Sequence, residues 1–465
     1  MPDSSKDSKK LWGGRFDKKT SSITEKISSS IQFDKVLYRQ DIRGSMVHAK
    51  MLNKIGVLTD DDYKNIIRGL EDIRHEIEVG SFEFSTSLED IHMNIESRLT
   101  EMIGEAGKRL HTGRSRNDQI ALDFRLFIID ACNDISLLLK RLILELVTLA
   151  NSEIDTVMPG YTHMQVAQPV RFSHHMLAHA WALVRDLRRL EFTLSSCDNL
   201  PLGSGAMAGV NYSSDREMLR KELDFSEIIP NSMDGVSDRD FALDFLYFAS
   251  MLGMHLSRFC EELVIWSSSE FSFIRLSDTV TTGSSIMPQK RNPDIAELIR
   301  GKTGRLYGDM ISLFTVMKSL PLTYNRDFQE DKEPVFDAVE TVMLSLEGMI
   351  EMISSMEVNS HRLKETVYSN FSTATDLADY LVQKGVPFRQ SHEVIGNIVR
   401  YCENEKKDFF SLKLEEMKKF SDMFEADAVD AINPETSTER KVSYGSTSKE
   451  SVQNQIKMLQ KILEG

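Results

Sequence analysis

The sequence predicts a mainly α-helical protein built around a bundle of long helices, and three observations carry that prediction. Glycine and proline are both absent from 114–158, 170–200, 254–282, 349–384 and 397–433, whereas strand-rich chains need turns far more often. Within the first of these stretches, Phe124, Phe127, Ala131, Ile135, Leu138, Leu142 and Leu146 recur at three- and four-residue steps, the spacing of one helix face. The apolar pattern also spills over more than one face, as in Leu137-Leu138-Leu139 and Leu142-Ile143-Leu144.

Each observation has a structural consequence. A stripe over six turns predicts one helix of about 30 residues. Long helices with long stripes bury them against one another, so a bundle is expected. Stripes wider than one core face predict packing against further subunits, a large monomeric core being the alternative. The chain has 465 residues, enough for roughly two to four domains.

Composition excludes several function classes. Hydrophobic residues make up 41% and charged residues 27%, with a net charge of −15. Such a chain is a poor partner for nucleic acid or an anionic membrane, although a locally basic site for a small anion is compatible with it. No run of 18 apolar residues predicts a membrane span. The polar start MPDSSKDSKK lacks the apolar region of a secretory signal, so the expected address is the cytoplasm, with residues 1–10 a flexible tail. Cys132, Cys197, Cys260 and Cys402 are spaced for neither a metal motif nor a disulfide framework and read as reduced, packed thiols.

Polar segments punctuate the helices at 85–94, 107–119, 158–169, 201–215, 231–240, 277–294 and 321–334. Binding chemistry concentrates in such segments. The richest is Gly283-Ser284-Ser285-Ile286-Met287-Pro288-Gln289-Lys290-Arg291-Asn292-Pro293-Asp294. It reads either as a mobile anion-binding loop carrying a reactive serine or as a capped helix start with solvated charges. His111-Thr112-Gly113-Arg114-Ser115-Arg116-Asn117-Asp118-Gln119 sets two arginines and an amide at a helix start, suited to a carboxylate or phosphate or simply to capping. His163 follows Pro159-Gly160 and is a candidate proton shuttle, although a lone histidine is more often structural. His175 and His179 stand at i,i+4, a spacing that can hold a metal. No carboxylate or cysteine near in sequence completes a set, so they read as packed or surface histidines. Gly203-Ser204-Gly205 is a turn rather than a dinucleotide fingerprint, and the 23 methionines read as core filler.

Taken together, these segments resemble the fumarase/aspartase superfamily, whose signature is similar to GSSIMPQKRNPD at 283–294. That segment alone leaves fumarase, aspartase, adenylosuccinate lyase and argininosuccinate lyase open. Leu11-Trp12-Gly13-Gly14-Arg15-Phe16, Glu89-Asp90-Ile91-His92, HTGRSRNDQ, MPGYTHMQ, LPLGSGAMAG, VSDRDF and ATDLADYLVQKGVPFRQSHEVIG (374–396) resemble the argininosuccinate lyase family in particular, in the right order from about residue 11 to the end. Two features depart from it: Gly445-Ser446-Thr447-Ser448 stands where Gly-Gly-Thr-Ala is expected, and 27–30 is unusually rich in serine.

The resemblance implies three segments: an N-terminal domain at 1–115, a central helical bundle at 116–364 and a C-terminal helical domain at 365–465. It implies a homotetramer with a twenty-helix core and sites assembled from different subunits. It implies a reversible β-elimination of argininosuccinate to L-arginine and fumarate, in arginine biosynthesis or the urea cycle, with no metal or organic cofactor. A structural role without activity, as in δ-crystallins, is the rival within the same fold.

The chemistry sets demands on the residues. The proton to be removed sits on a carbon beside a carboxylate, and its loss builds a doubly charged aci-carboxylate. Fixed donors must wait where that charge develops; Lys290 and Asn292 suit this task. Ser284 is the favoured base, activated by Lys290 and loop amides after closure of 283–292 over the substrate. His163, with Glu297 as its charge partner, suits the general acid, though the two roles can be exchanged. By resemblance, Ser30, Asn117 and Thr162 contact the succinyl or linking part, Tyr324, Gln329 and Lys332 hold the arginine part, Arg114 and Arg116 bind carboxylates, and Asp90 orients neighbours or assists proton transfer.

Overall fold

A computed structural model describes residues 21–464. The expected tail at 1–10 and the segment 11–16 lie outside the described residues. The mainly α prediction is met. After α1 (Tyr38–Lys54), α2 (Asp60–Glu78) and α3 (Ile91–Ile103), the chain enters α4 (Arg116–Ser152), a helix of 37 residues. A hairpin of β1 (Val157–Thr162) and β2 (Gln165–Arg171) leads into α5 (Phe172–Cys197). The long helices α6 (Asp240–Ser267), α7 (Asp294–Met317) and α8 (Lys332–Ser354) follow. The C-terminal part holds α9 (Ala374–Gln383), α10 (Phe388–Glu405) and α11 (Lys449–Glu464).

The chain divides into two compact units. The first is Met1–Ile135 with Arg189–Ser250 and Arg305–Thr341; the second is Ser136–Arg188 with Met251–Gly304 and Val342–Gly465. Each of the five long helices has residues in both.

In the first unit, α1 to α3 pack over a core that includes Leu52, Ile66, Leu70, Ile91 and Leu99 with Leu122 and Leu126 of α4. Phe124 of α4 meets Phe241 of α6 and Phe336 of α8 edge-on, with ring centroids 5.6 and 6.4 Å apart. In the second unit, α6 is again the hub. Thr303 Oγ1 of α7 donates to Gly253 O at 3.0 Å, and His255 Nδ1 of α6 lies 2.7 Å from Asp186 of α5. The residues of α6 explain this centrality: Phe241, Phe245, Phe248, Leu252, Phe259 and Leu263 are all buried, so the helix is apolar nearly all round. A separate cluster of Leu377, Leu381, Ile395, Ile398, Phe409 and Phe424 forms the C-terminal core.

Absence of glycine and proline was a sound guide to helix content but not to helix ends. The stretch 349–384 breaks into the end of α8, a short strand at Glu357–Val358, a helix at Ser360–Tyr368 and α9. There Asn359 caps the new helix by accepting from Arg362 N, a stop-and-start signal that needs neither residue. Conversely, α7 runs through Gly301, Gly304 and Gly308, beside which a Cβ would meet nothing within 4 Å.

Candidate active site

Local capping builds the first wall. Asp90 is the N-cap of α3, its Oδ1 accepting from Met93 N at 2.7 Å. Its other oxygen lies 3.3 Å from Arg116 Nε at the start of α4, and Arg116 is also 3.6 Å from Glu96. Ser30 is tied down by its own N–H to Glu89 O at 2.9 Å and by its hydroxyl to Asp34 at 2.5 Å. Burial raises the Asp34 carboxyl above its ordinary range, against the opposing pull of His92 and Ser30.

These residues line a cavity of about 460 Å³ in the first unit, within the usual size of a small-molecule site. Ser30, Asp90, Arg116, Asn117, Tyr324, Gln329 and Lys332 of the sequence-derived set all reach it. Asn117 donates to Ala206 O at 3.0 Å, and Gln329 donates to Ile27 O at 3.4 Å. Lys332 Nζ is 2.6 Å from Asp331 Oδ1 and donates to Phe328 O at 3.2 Å. Asp331 and Arg239 are fully buried and paired with each other, and the Arg239 guanidinium lies 4.6 Å from the Phe328 ring centre. A buried Arg–Asp–Lys cluster therefore fixes the cavity's lysine.

Arg114 is placed differently from Arg116. It is not among the residues lining the cavity; it donates to Ser45 Oγ at 2.9 Å and its charge acts on the buried Asp41 and Asp123. His92 Nδ1 lies 3.0 Å from Asp41 and 3.3 Å from Asp123. Burial would raise Asp41, but the His92 charge and hydrogen bond, Arg114 and the Gln119 amide hold it below the carboxylate range. Burial and the neighbouring Asp41 push Asp123 well above it. The pair thus shares its charge unequally beneath the cavity wall, and Arg114 supplies the cation that tolerates it. His111, also on the wall, is lowered to about 3 by burial and by the charges of Arg114 and Arg116.

The remaining candidates sit in the second unit, exposed or half-buried. Thr162 and His163 lie at the tip of the β1–β2 hairpin, where a polar loop was expected. His163 and Met164 both have positive φ, 55° and 57°, the pattern of a two-residue type I′ turn. Neither is glycine, so each holds a conformation costing on the order of 1 kcal/mol or more. Gly160 in β1 is required by close approach: a Cβ there would stand 2.8 Å from Gln168 O.

In the signature segment, Thr282 and Asn292 close the loop by exchanging backbone hydrogen bonds of 2.8 and 3.1 Å. Ser284 Oγ accepts from Ile286 N at 3.3 Å and Met287 N at 3.1 Å. Two amides on one hydroxyl oxygen are the donors that an alkoxide would need. Lys290 is exposed, Asn292 is half-buried at the loop base, and Glu297 is exposed in the first turn of α7. Both readings of this segment thus have a physical basis: it is a helix start, with Asp294 opening α7, and it is also an open loop of donors.

Comparison with known proteins decides the family. Residues 14–308 match the family described as Lyase, and 371–439 match the argininosuccinate lyase C-terminal family. The argininosuccinate lyase of Geotalea daltonii is 56% identical over 447 residues, covering 96% of this chain and 98% of the relative. That of Desulfitobacterium hafniense is 51% identical over 455 residues, covering 98% and 99%. This chain belongs to the argininosuccinate lyase family. The fold of that family extends to more distant structures. An EDDS lyase in complex with formate superposes with a TM-score of 0.85 at 25% identity, covering 93% of this chain and 87% of that one. A class II fumarase from Schistosoma mansoni superposes with a TM-score of 0.76 at 16% identity, covering 91% and 93%.

Several cavity residues of this family member escaped sequence reasoning. Asp34 and Glu96 line the cavity but lie outside the polar segments, and Arg326 lines it from within 321–334 without having been singled out there. His92 was visible within the family segment Glu89–His92, but its pairing with Asp41 and Asp123 depends on residues 51 and 31 positions away. The reading of His175 and His179 also needs revision. The carboxylate missing from the local sequence arrives from α6: both Nε2 atoms lie 2.7 and 2.8 Å from the same oxygen of Glu262.

Proposed function

We propose that this chain converts argininosuccinate reversibly to L-arginine and fumarate by β-elimination. The observation that carries the reading is identity above one half to argininosuccinate lyases across nearly the whole of both chains. The cavity supports it chemically. Argininosuccinate has three carboxylates and one guanidinium, and the cavity wall offers both signs: Arg116, Arg326 and Lys332 against Asp34, Asp90 and Glu96.

In this reading Ser30, Asn117 and Thr162 hold the succinyl or linking part, Arg116 a carboxylate, and Tyr324, Gln329 and Lys332 the arginine part, with Asp90 orienting Arg116. Arg114 supports the wall through Asp41 and Asp123. Ser284 takes the proton from the carbon beside the succinyl carboxylate. The electron pair builds the aci-carboxylate, held by Lys290, Asn292 and loop amides, and then forms the carbon–carbon double bond as the carbon–nitrogen bond breaks. His163, paired with Glu297 on assembly, gives the departing nitrogen its proton. Metal and organic cofactors have no step in this scheme.

We place the reaction in a cytoplasmic homotetramer whose sites join the cavity of one chain to the hairpin and signature loop of others. Leu137, Leu144, Phe192, Leu298, Ile311, Phe314 and Leu344 support it: all lie on the long helices and all are about half or more exposed in the single chain. Large apolar faces of this kind mark association surfaces, and the open glycines of α7 would let a second helix approach closely. The three segments 1–115, 116–364 and 365–465 remain our division of the chain in that assembly. The cysteines fit a reducing compartment, because all four are buried and unpaired, and burial pushes Cys197 and Cys260 up to about 12. No described helix is long and apolar enough to cross a membrane.

The test is a substrate panel with fumarate detection. Argininosuccinate should release fumarate well above a heat-killed control, and adenylosuccinate, malate and aspartate should not. Preference for any of these three would overturn the assignment, and a stable tetramer with no turnover would support the crystallin-like alternative.

A further inference from the structure

We propose that His175, His179 and Glu262 form a site for a divalent transition cation of the zinc and cobalt class, tying α5 to α6 through residues that the proposed reaction does not use. The two histidines stand one turn apart on the same face of α5, and their Nε2 atoms converge on a single oxygen of Glu262, at 2.7 and 2.8 Å. Two imidazoles and a carboxylate are a donor set that such cations favour.

The rings are held in place for this. His179 stacks on Phe259 with centroids 4.1 Å apart and planes 13° from parallel, and His175 meets Trp266 edge-on at 4.9 Å. Fixed rotamers reduce the ordering cost of binding. The His175, His179 and Glu262 side chains are 28%, 17% and 35% exposed, so a cation can enter from solvent and water can fill the fourth position. Metal–nitrogen distances near 2.0–2.1 Å would require the nitrogens to draw back from the carboxylate oxygen by roughly half an ångström. Binding requires each imidazole to be neutral with its proton on Nδ1, leaving the Nε2 lone pair for the cation. A purely structural cluster would use the same atoms as two hydrogen bonds to one acceptor, and the experiment separates the two.

The full-length protein, stripped with a chelator and dialysed, is titrated with Co²⁺ and followed by visible absorption, then challenged with Zn²⁺. One Co²⁺ per chain should bind with the intensified absorption of a low-coordinate site, and Zn²⁺ should abolish it. His179→Gln and Glu262→Gln should each weaken Co²⁺ binding by more than about 100-fold, above the loss from removing an outer-shell partner, while fumarate release is unchanged. Only the weak spectrum of hydrated Co²⁺ in the parent protein would overturn the proposal, as would variants that keep the parental band. Should a variant fail to fold, histidine carbethoxylation of the parent protein decides. Zn²⁺ must protect the peptide carrying His175 and His179, and equal labelling with and without Zn²⁺ sinks the site.

Discussion

The cavity of the first unit and the polar segments of the second are built on opposite plans. Around the cavity, residues are buried or half-buried and doubly tethered: Ser30 by its hydroxyl to Asp34 and its backbone N–H to Glu89, Lys332 by Asp331 and Phe328, Arg116 by Asp90 and Glu96. In the second unit, His163 and Lys290 are exposed, and the side-chain anchor of Ser284 is a pair of amides within its own turn. A group that recognises a substrate gains from being fixed before the substrate arrives. A group that moves a proton must first be dried and brought up to the reacting atom, so it begins on a segment free to travel. The contrast fits our reading of recognition in one region and proton transfer in the other.

Four measurements would break or sharpen this contrast. The largest effect is expected from Ser284→Ala, which should lower kcat by about 10²–10⁴-fold while the substrate still binds the cavity. A near-parental rate would remove Ser284 from the chemistry. Next is Asp331→Asn, which leaves Arg239 and Lys332 as facing buried cations. It should cost about 3–5 kcal/mol of stability, read as the shift in denaturant midpoint, and a loss below about 1 kcal/mol would deny the cluster its supporting role.

Arg116→Met should raise KM and lower kcat/KM roughly 10–100-fold, the worth of one hydrogen-bonded charge of about 1.5–3 kcal/mol. An unchanged KM would confine Arg116 to its ion pairs with Asp90 and Glu96. The smallest effect at neutral pH concerns His48, whose Nε2 donates to Thr112 O at 2.9 Å. Burial first, then the charge of Arg114, lower its imidazole to about 3. The unfolded chain, with the ordinary value near 6.5, takes up the proton first. Stability from this group is therefore complete above pH 6.5 and is lost as pH falls from there toward 3. His48→Gln keeps a donor but cannot titrate. It should remove about 1.4 kcal/mol per pH unit from the acid slope in that window, and parallel slopes for the two proteins would contradict the depressed value.

Much of the fold was legible because helices are local. The three- and four-residue periodicity from Phe124 to Leu146 foretold α4, and the surplus leucines at 137 and 144 foretold faces that one chain leaves uncovered. The hairpin at 157–171 was not legible. It contains Pro159, Gly160 and Pro169 and turns at two non-glycine residues with positive φ, so neither strand alternation nor an Asn-Gly turn announced it. Of the site, the residues in dense polar motifs could be found, whereas Asp34 has no local pattern and Arg326, inside 321–334, could not be told from its charged neighbours.

By itself, then, the order of residues determined the helical class, the family and the chemical types on hand, since these depend on spacing along one chain and on motifs kept in register. Only tertiary structure decided which arginine faces the cavity: Arg114 and Arg116 are two positions apart, and the loop that ends where α4 begins sends one toward the buried Asp41 and Asp123 and the other toward Asp90 and Glu96. It also decided that Glu262 joins His175 and His179 across 87 and 83 residues. Contacts between distant segments are set by how helices pack, and packing has no signature in any one stretch of sequence.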